Sequence, residues 1–324
     1  MTIETMMRAA LYDRYGPPEV LYVGEVPKPV AGPGQVLVRV AASSVNGGEL
    51  YGRAGRIRVV TGLRRFPLRT GLDFAGEVAA VGRDVADLAP GQHVWGLLGR
   101  RFGSAAEFVV VAADRLAPAP AGLDLTRAAA LPAVATTVVT ALRDKAGLRA
   151  GERLLVRGAS GGVGHVAVQL GRAYGAHVTG LAGAGNLEFV RGLGAHEVAD
   201  YRTTRAWELP RFDVVLDTVG TELPDYRRLL TRTGRMVTVS FDIDHVARSL
   251  AYLLMSTVHG RRRVRFFSGD PRSDLLAEVT RLTENGSLRP VVDRTFPLAD
   301  IARAHRALEE GGVRGKIVVT VGNP

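Results

Sequence analysis

The sequence predicts an α/β protein of two domains, a β-rich part followed by a doubly wound parallel sheet. Three observations carry this. Apolar runs alternate with helical periodicity between Leu154 and Ser240. A glycine-crowded turn, Gly158-Ala-Ser-Gly-Gly-Val-Gly164, joins the first of those runs to the first of those helices. Residues Met6–Ala121 break instead into short strand-like runs separated by Gly-Pro, Pro-Gly and glycine-rich turns. A length of 324 residues suits two domains better than one.

Along the chain, Val36–Ala42, Gly76–Val81 and Phe108–Ala112 read as strands of the first domain. The character changes near Leu123, and Leu125–Leu148 reads as largely helical. Its apolar core, Ala128–Leu142, is too short to cross a membrane, contains Pro132 and is flanked by Arg127 and Arg143, which predicts a buried helix. There follow a strand at Leu154–Arg157, a helix at Gly164–Tyr174, a strand at His177–Leu181 and a helix at Leu187–Leu193. Further strands are expected at Glu197–Ala199, Asp213–Asp217, Arg235–Ser240 and Val264–Ser268. Val246–Val258 is apolar and suits either a buried helix or a contact with a second copy. Leu275–Asn285, a break at Gly286–Pro290, a helix at Leu298–Glu310 and a strand at Lys316–Val321 complete the reading.

Composition narrows the chemistry. The chain has no cysteine, which excludes disulfides, thiol catalysis and cysteine-based zinc sites, and its seven histidines lack paired ligand spacing, so no metal is implied. The formal charge of +10 comes almost wholly from arginine, since Lys28, Lys145 and Lys316 are the only lysines, and it favours anionic ligands. Met1–Arg14 mixes polar and charged residues without a signal pattern, and a cytoplasmic location is expected.

The Gly158–Gly164 turn is where an extended anion belongs. Gly161, Gly162 and Gly164 let the backbone turn tightly and approach a pyrophosphate at the positive N-terminus of the following helix, with Ser160 as a phosphate donor. Ser160 is not a hydrolytic nucleophile, because the surrounding glycines do not form a Gly-x-Ser-x-Gly elbow. His165 is expected to pack or face solvent. Asp73, beside Gly71 and Gly76, is expected to fix a turn rather than catalyse.

Several segments in order and spacing resemble the medium-chain dehydrogenase/reductase superfamily, above all its zinc-free quinone oxidoreductase branch. They are Tyr12-Asp-Arg-Tyr-Gly-Pro-Pro-Glu-Val, Pro33-Gly-Gln-Val-Leu-Val-Arg-Val, Gly71-Leu-Asp-Phe-Ala-Gly-Glu-Val, the glycine turn, Pro290-Val-Val-Asp-Arg-Thr-Phe-Pro-Leu and Arg314-Gly-Lys-Ile-Val-Val-Thr-Val. The resemblance implies a GroES-like catalytic domain over residues 1–122 and 287–324, a Rossmann domain over 123–286, and a cleft between them. It also implies hydride transfer from NAD(P)H to a quinone or α,β-unsaturated carbonyl without a metal, because Val45-Asn46 and Gly71-Leu72-Asp73 stand where zinc-dependent relatives carry ligands. A reductase dedicated to one secondary metabolite is the alternative within enzymes. A cofactor-binding protein with a basic RNA- or protein-binding surface is the alternative outside them, although no aromatics interleave with the arginines as in a stacking platform.

The resemblance supplies a cofactor set of Asn46, Thr137, Ser160, Gly161, Gly162, Val163, Gly164, Gly183, Asn186, Tyr201, Val219, Ser240 and Phe267. The strand His177–Leu181 leads into Ala182-Gly-Ala-Gly-Asn186 with no Asp or Glu to meet the ribose hydroxyls, which favours NADPH over NADH, with Arg202 as a further contact. Tyr51 and Asn46 are the catalytic candidates, from Val45-Asn-Gly-Gly-Glu-Leu-Tyr51. A phenol keeps its proton at neutral pH and can donate to an acceptor oxygen, while a pocket-wall role suits Tyr51 equally. Six arginines lie between Arg53 and Arg69 with Val59, Val60, Leu63 and Phe66 among them, reading as a mouth for an anionic substrate or as a solvated loop; Arg261–Arg265 forms a second basic cluster.

Overall fold

The computed structural model describes residues 6–57, 65–99 and 101–322. The chain divides into two compact units, Met1–Ala133 with Asp270–Gly286 and Pro290–Pro324, and Val134–Gly269 with Ser287–Arg289.

The first unit opens with β1 (Met6–Tyr12), β2 (Tyr22–Pro27), β3 (Gln35–Ser44) and a short helix α1 (Gly47–Arg53). Then come β4 (Leu68–Arg69), β5 (Asp73–Val81), β6 (His93–Leu97), β7 (Phe108–Ala112), β8 (Leu116–Pro118) and α2 (Leu125–Ala128). β1 pairs with β2 and β4 in one small sheet, and β3 lies inside a larger one, bonded to β5, β7 and the C-terminal strand of the chain. Alternating valines of β3 put Val36, Val38 and Val40 into a core with Phe74, Val94 and Leu116.

In the second unit α3 (Pro132–Val139) runs on into a π-helical turn at Thr140–Lys145. β9 (Arg153–Arg157), α4 (Gly162–Ala173), β10 (His177–Ala182), α5 (Leu187–Gly192) and β11 (Glu197–Asp200) follow in alternation. β12 (Phe212–Asp217), α6 (Leu223–Arg228), β13 (Leu230–Thr238), α7 (Val246–Met255) and β14 (Val264–Phe266) complete it. The strands are parallel in the order β11-β10-β9-β12-β13-β14, so the winding reverses between β9 and β12. Both faces of such a sheet are covered, which is why β9 and β12 read as nearly unbroken apolar runs; Leu154, Leu155, Val214 and Val215 are fully buried.

The chain then returns to the first unit through α8 (Ser273–Glu284), β15 (Val292–Pro297), α9 (Ile301–Glu309) and β16 (Lys316–Thr320). β16 lies antiparallel to β3, placing Val318 opposite Ser44.

Three expectations differ from this arrangement. α8 packs with the first unit, through Thr280 Oγ1 donating to Pro118 O at 2.9 Å, and not with the dinucleotide domain that 123–286 would delimit. The helical reading of Leu125–Leu148 resolves into separate pieces because Pro132 lacks an N–H and can only start a new helix. Of the two readings of Val246–Val258, the buried helix is the one that fails: Leu250, Leu254, Met255 and Val258 are exposed, while Tyr252 and Leu253 face the core.

Candidate active site

The second unit forms a cradle at the reversal of its sheet. β9 ends at Gly158, whose φ of 76° suits glycine, and Ala159 N donates to Leu181 O at 2.9 Å, tying the turn to β10. Gly164 allows α4 to press against that turn, since a Cβ there would stand 2.0 Å from Gly158 O. Gly161 is the N-cap of α4, and no side chain caps this helix end. A Cβ on Gly161 would meet only Gly158 O, at 3.6 Å, so the space its missing side chain leaves is open. Peptide N–H groups of Gly162, Val163 and Gly164 therefore begin the helix at an uncapped, positively polarised mouth, the arrangement that holds a diphosphate. Ser160 adds a hydroxyl, and Asn186 Nδ2 donates to it at 3.3 Å, joining the turns after β9 and β10.

After β10 the chain makes a short turn at Ala184–Asn186 with no carboxylate from Ala182 to Asn186. Gly183 faces Tyr201, whose ring is half-exposed and lies 5.6 Å from the Arg202 guanidinium. A planar side chain and a cation thus share an edge of the second unit beside a turn that carries no acid. Val219 follows β12 and is exposed; its N–H and that of Gly220 lean on the buried Asp217 carboxylate at 3.4 and 2.8 Å. Asp217 also accepts from Thr238 and pairs with Arg157 at 3.1 Å, so it shapes the loop rather than meeting a ligand. Ser240 accepts from Thr238 through its carbonyl, Phe267 lies 5.9 Å from Lys145 Nζ, and Thr137 is half-buried on α3 before the π-helical turn. His165 is buried with Nδ1 3.1 Å from Gly161 O, a packing role as expected.

The first unit holds a different kind of site, a buried polar network around the start of α1. Asn46 Nδ2 donates to Asp73 Oδ1 at 2.9 Å and Glu49 Oε1 at 3.0 Å, while Lys316 Nζ donates to Asn46 Oδ1 at 2.6 Å and Val45 O at 2.8 Å. Glu49 accepts in turn from Thr70 Oγ1 and Gly71 N, at 2.9 and 2.8 Å. Asp73 also takes bonds from Ser44 Oγ and Ala133 N, so in place of the local turn expected of it the carboxylate ties β3 to the start of α3. Burial pushes the Glu49 carboxyl up to about 7; bonds from Asn46 and Thr70 and the Lys316 charge pull against this, and the Asp73 charge adds to it. Burial lowers the Lys316 ammonium, with Asp73 and Glu49 opposing. His305 Nε2 lies 3.4 Å from Thr70 Oγ1, and burial and then the Arg53 charge lower its pKa to about 3, so it is neutral. Arg53, itself buried, pairs with Glu309.

Both polar ends of the Asn46 amide are thus engaged within the protein. The residue is a fixed N-cap for α1, and α1 carries Tyr51, half-buried, with no partner for its hydroxyl among the described residues. Sequence reasoning passed over Glu49, Lys316 and His305. The Asn46-x-x-Glu49 spacing of a capping box signalled the first; nothing local signals the other two. Of the basic stretch between Arg53 and Arg69, residues 58–64 lie outside the described residues.

Known proteins share this organisation. Residues 32–121 match the alcohol dehydrogenase GroES-like domain family, and residues 193–319 the zinc-binding dehydrogenase family. The chain is 32% identical to human NAD(P)H oxidoreductase RTN4IP1, mitochondrial, over 98% of this chain and 90% of that protein. It is 38% identical to the spectinabilin polyketide synthase system protein NorB of Streptomyces orinoci, over 92% of this chain and 14% of that protein. The quinone oxidoreductase structure from Coxiella burnetii superposes with a TM-score of 0.88 at 29% identity, covering 98% of this chain and all of that one, 100%. A mitochondrial name does not bear out the cytoplasmic expectation; among the described residues no helix is long and apolar enough to cross a membrane.

Proposed function

The chain belongs to the quinone oxidoreductase-like branch of the medium-chain dehydrogenase/reductase superfamily and is a hydride-transfer oxidoreductase, and from that premise we propose that it uses NADPH to reduce a quinone or α,β-unsaturated carbonyl. The observation that carries the reading is the uncapped start of α4 at the sheet reversal, with glycines where side chains would obstruct a diphosphate. Backbone N–H groups of Gly162, Val163 and Gly164 with the Ser160 hydroxyl hold the phosphates. Gly183, Asn186 and Tyr201 receive the adenosine end, where the missing carboxylate and the nearby Arg202 favour a 2′-phosphate. A reduced nicotinamide, when bound, supplies the hydride.

The protein's own task is then to meet charge on the acceptor oxygen and to return a proton. Tyr51 does both: its hydroxyl donates a hydrogen bond to that oxygen as negative charge grows there. Asn46, Glu49, Asp73 and Lys316 fix the start of α1 and with it the position of Tyr51. Activated acceptors suit this arrangement, because hydride arriving at carbon leaves charge on an oxygen that one phenol can stabilise. The 38% identity with a polyketide synthase system protein supports a second reading, a reductase dedicated to one enone metabolite.

Steady-state NADPH oxidation against simple quinones, enones and ketones tests this. Turnover is expected with quinones or enones and not with simple ketones, and Tyr51→Phe is expected to lower kcat on the order of 10²-fold at unchanged KM for NADPH. Absence of turnover with every activated acceptor overturns the general reading, and turnover of a single elaborate enone alone selects the second.

A further inference from the structure

Residues 50–72 contain six arginines and no Asp or Glu. At the end of this stretch, within the first unit, lies a cavity of about 210 Å³ whose lining includes Tyr12, Tyr15, Gly52, Leu68, Arg69 and Phe102. Its aromatic wall is braced. Phe66 meets Tyr15 at 5.1 Å and 70°, and Tyr12 at 6.1 Å and 69°, both edge to face. Gly52 is part of the same construction, because a Cβ there would stand 3.0 Å from Phe102 Cε2, closer than that ring can accept without shifting slightly.

Arg53, Arg115, Arg157 and Arg235 each pair with a carboxylate, whereas Arg69 is half-buried with no ion pair among the described residues. Burial alone lowers its pKa. A guanidinium drawn partly out of water beside a cavity, without a counter-ion, gains from an anion that enters. The rings set the rest of the ligand: a cavity of roughly 150 Å³ accommodates benzene, so the larger one here has room for a six-membered ring and a small charged group.

We propose that this cavity binds a small aromatic carboxylate, its carboxylate paired with Arg69 and its ring held among Tyr12, Tyr15 and Phe102. The site is built from residues of the first unit alone and does not depend on which acceptor is reduced. Titration calorimetry of the full chain with benzoate, and with benzamide as the neutral counterpart, tests it. Benzoate is expected to bind at least tenfold more tightly than benzamide, Arg69→Met to abolish that preference, and Arg69→Lys, which keeps the charge without the planar fork, to weaken benzoate several-fold. Thermal unfolding checks that each variant is folded. The proposal is overturned if wild type does not bind benzoate, if it binds both compounds equally, or if Arg69→Met retains the preference. Should Arg69→Met fail to fold, unchanged benzoate affinity in Arg69→Lys overturns it instead.

Discussion

The cradle in the second unit is made of backbone, and the network in the first unit is made of side chains. At Gly158, Gly161 and Gly164 the chain works by leaving side chains out, so that peptide groups approach one another and leave a helix mouth open. Around α1 the chain buries Glu49, Asp73 and Lys316 about the half-buried Asn46 and satisfies them from strands far apart in sequence. A backbone site tolerates little added volume but is indifferent to pH. A buried network of carboxylates and an ammonium tolerates isosteric change but carries charge that must stay balanced.

The sharpest way to break the contrast is to remove the cation. Lys316→Met leaves Asn46 Oδ1 and Val45 O without their donor and two buried carboxylates without a positive neighbour, and is expected to destabilise the protein by about 3–5 kcal/mol. Urea unfolding at pH 7 measures it; a loss below 1 kcal/mol, on the order expected of an exposed pair, would show that the network is not held by charge. Gly164→Ala is the matching test in the cradle. With 2.0 Å to Gly158 O the helix must shift, at an expected cost of about 1–3 kcal/mol together with loss of nucleotide binding by calorimetry.

Acid titration separates the two regions without changing their volume. Glu49 sits at about 7 when folded, above its ordinary 4.5, so the folded state holds the extra proton between those values. Its contribution to stability is therefore greatest below about 4.5 and is lost as pH rises toward 7. His305, lowered from 6.5 to about 3, acts in the opposite sense, losing stability as pH falls through that range. The two offset each other where their windows overlap, from 4.5 to 6.5. Glu49→Gln removes the first alone, so the variant is expected to lose stability on acidification through this window where wild type stays flatter. Parallel profiles would mean that Glu49 is ionised throughout.

The smallest effect is expected from Ser160→Ala. It removes one hydroxyl from a site otherwise built of peptide groups, and NADPH affinity should fall only about three- to tenfold, near 1 kcal/mol. A hundredfold loss would make the cradle a side-chain site after all.

These regions also differ in how far the sequence disclosed them. Crowded glycines report backbone geometry directly, so the turn after Leu154–Arg157 could be read locally, and the alternation around it predicted the doubly wound sheet. Observed strands and helices there end within a few residues of expectation, the main exception being β13, which begins at Leu230, ahead of the expected Arg235. Nothing local told that Lys316 would reach Asn46, because that contact spans 270 residues and depends on β16 lying beside β3. The two readings of Val246–Val258 stayed open for a related reason: apolar composition records that a segment avoids water somewhere, without recording which face does so or against what.

The late return of β16 sets an order on synthesis. Asn46 leaves the ribosome 270 residues ahead of Lys316, an interval on the order of 10–60 s at ordinary elongation rates. Val134–Gly269 and Ser287–Arg289 are all translated within that wait, so the second unit has every strand it needs while the nascent α1 region still lacks its ammonium. The first unit is the last to be finished, although its first strands are the first to be made.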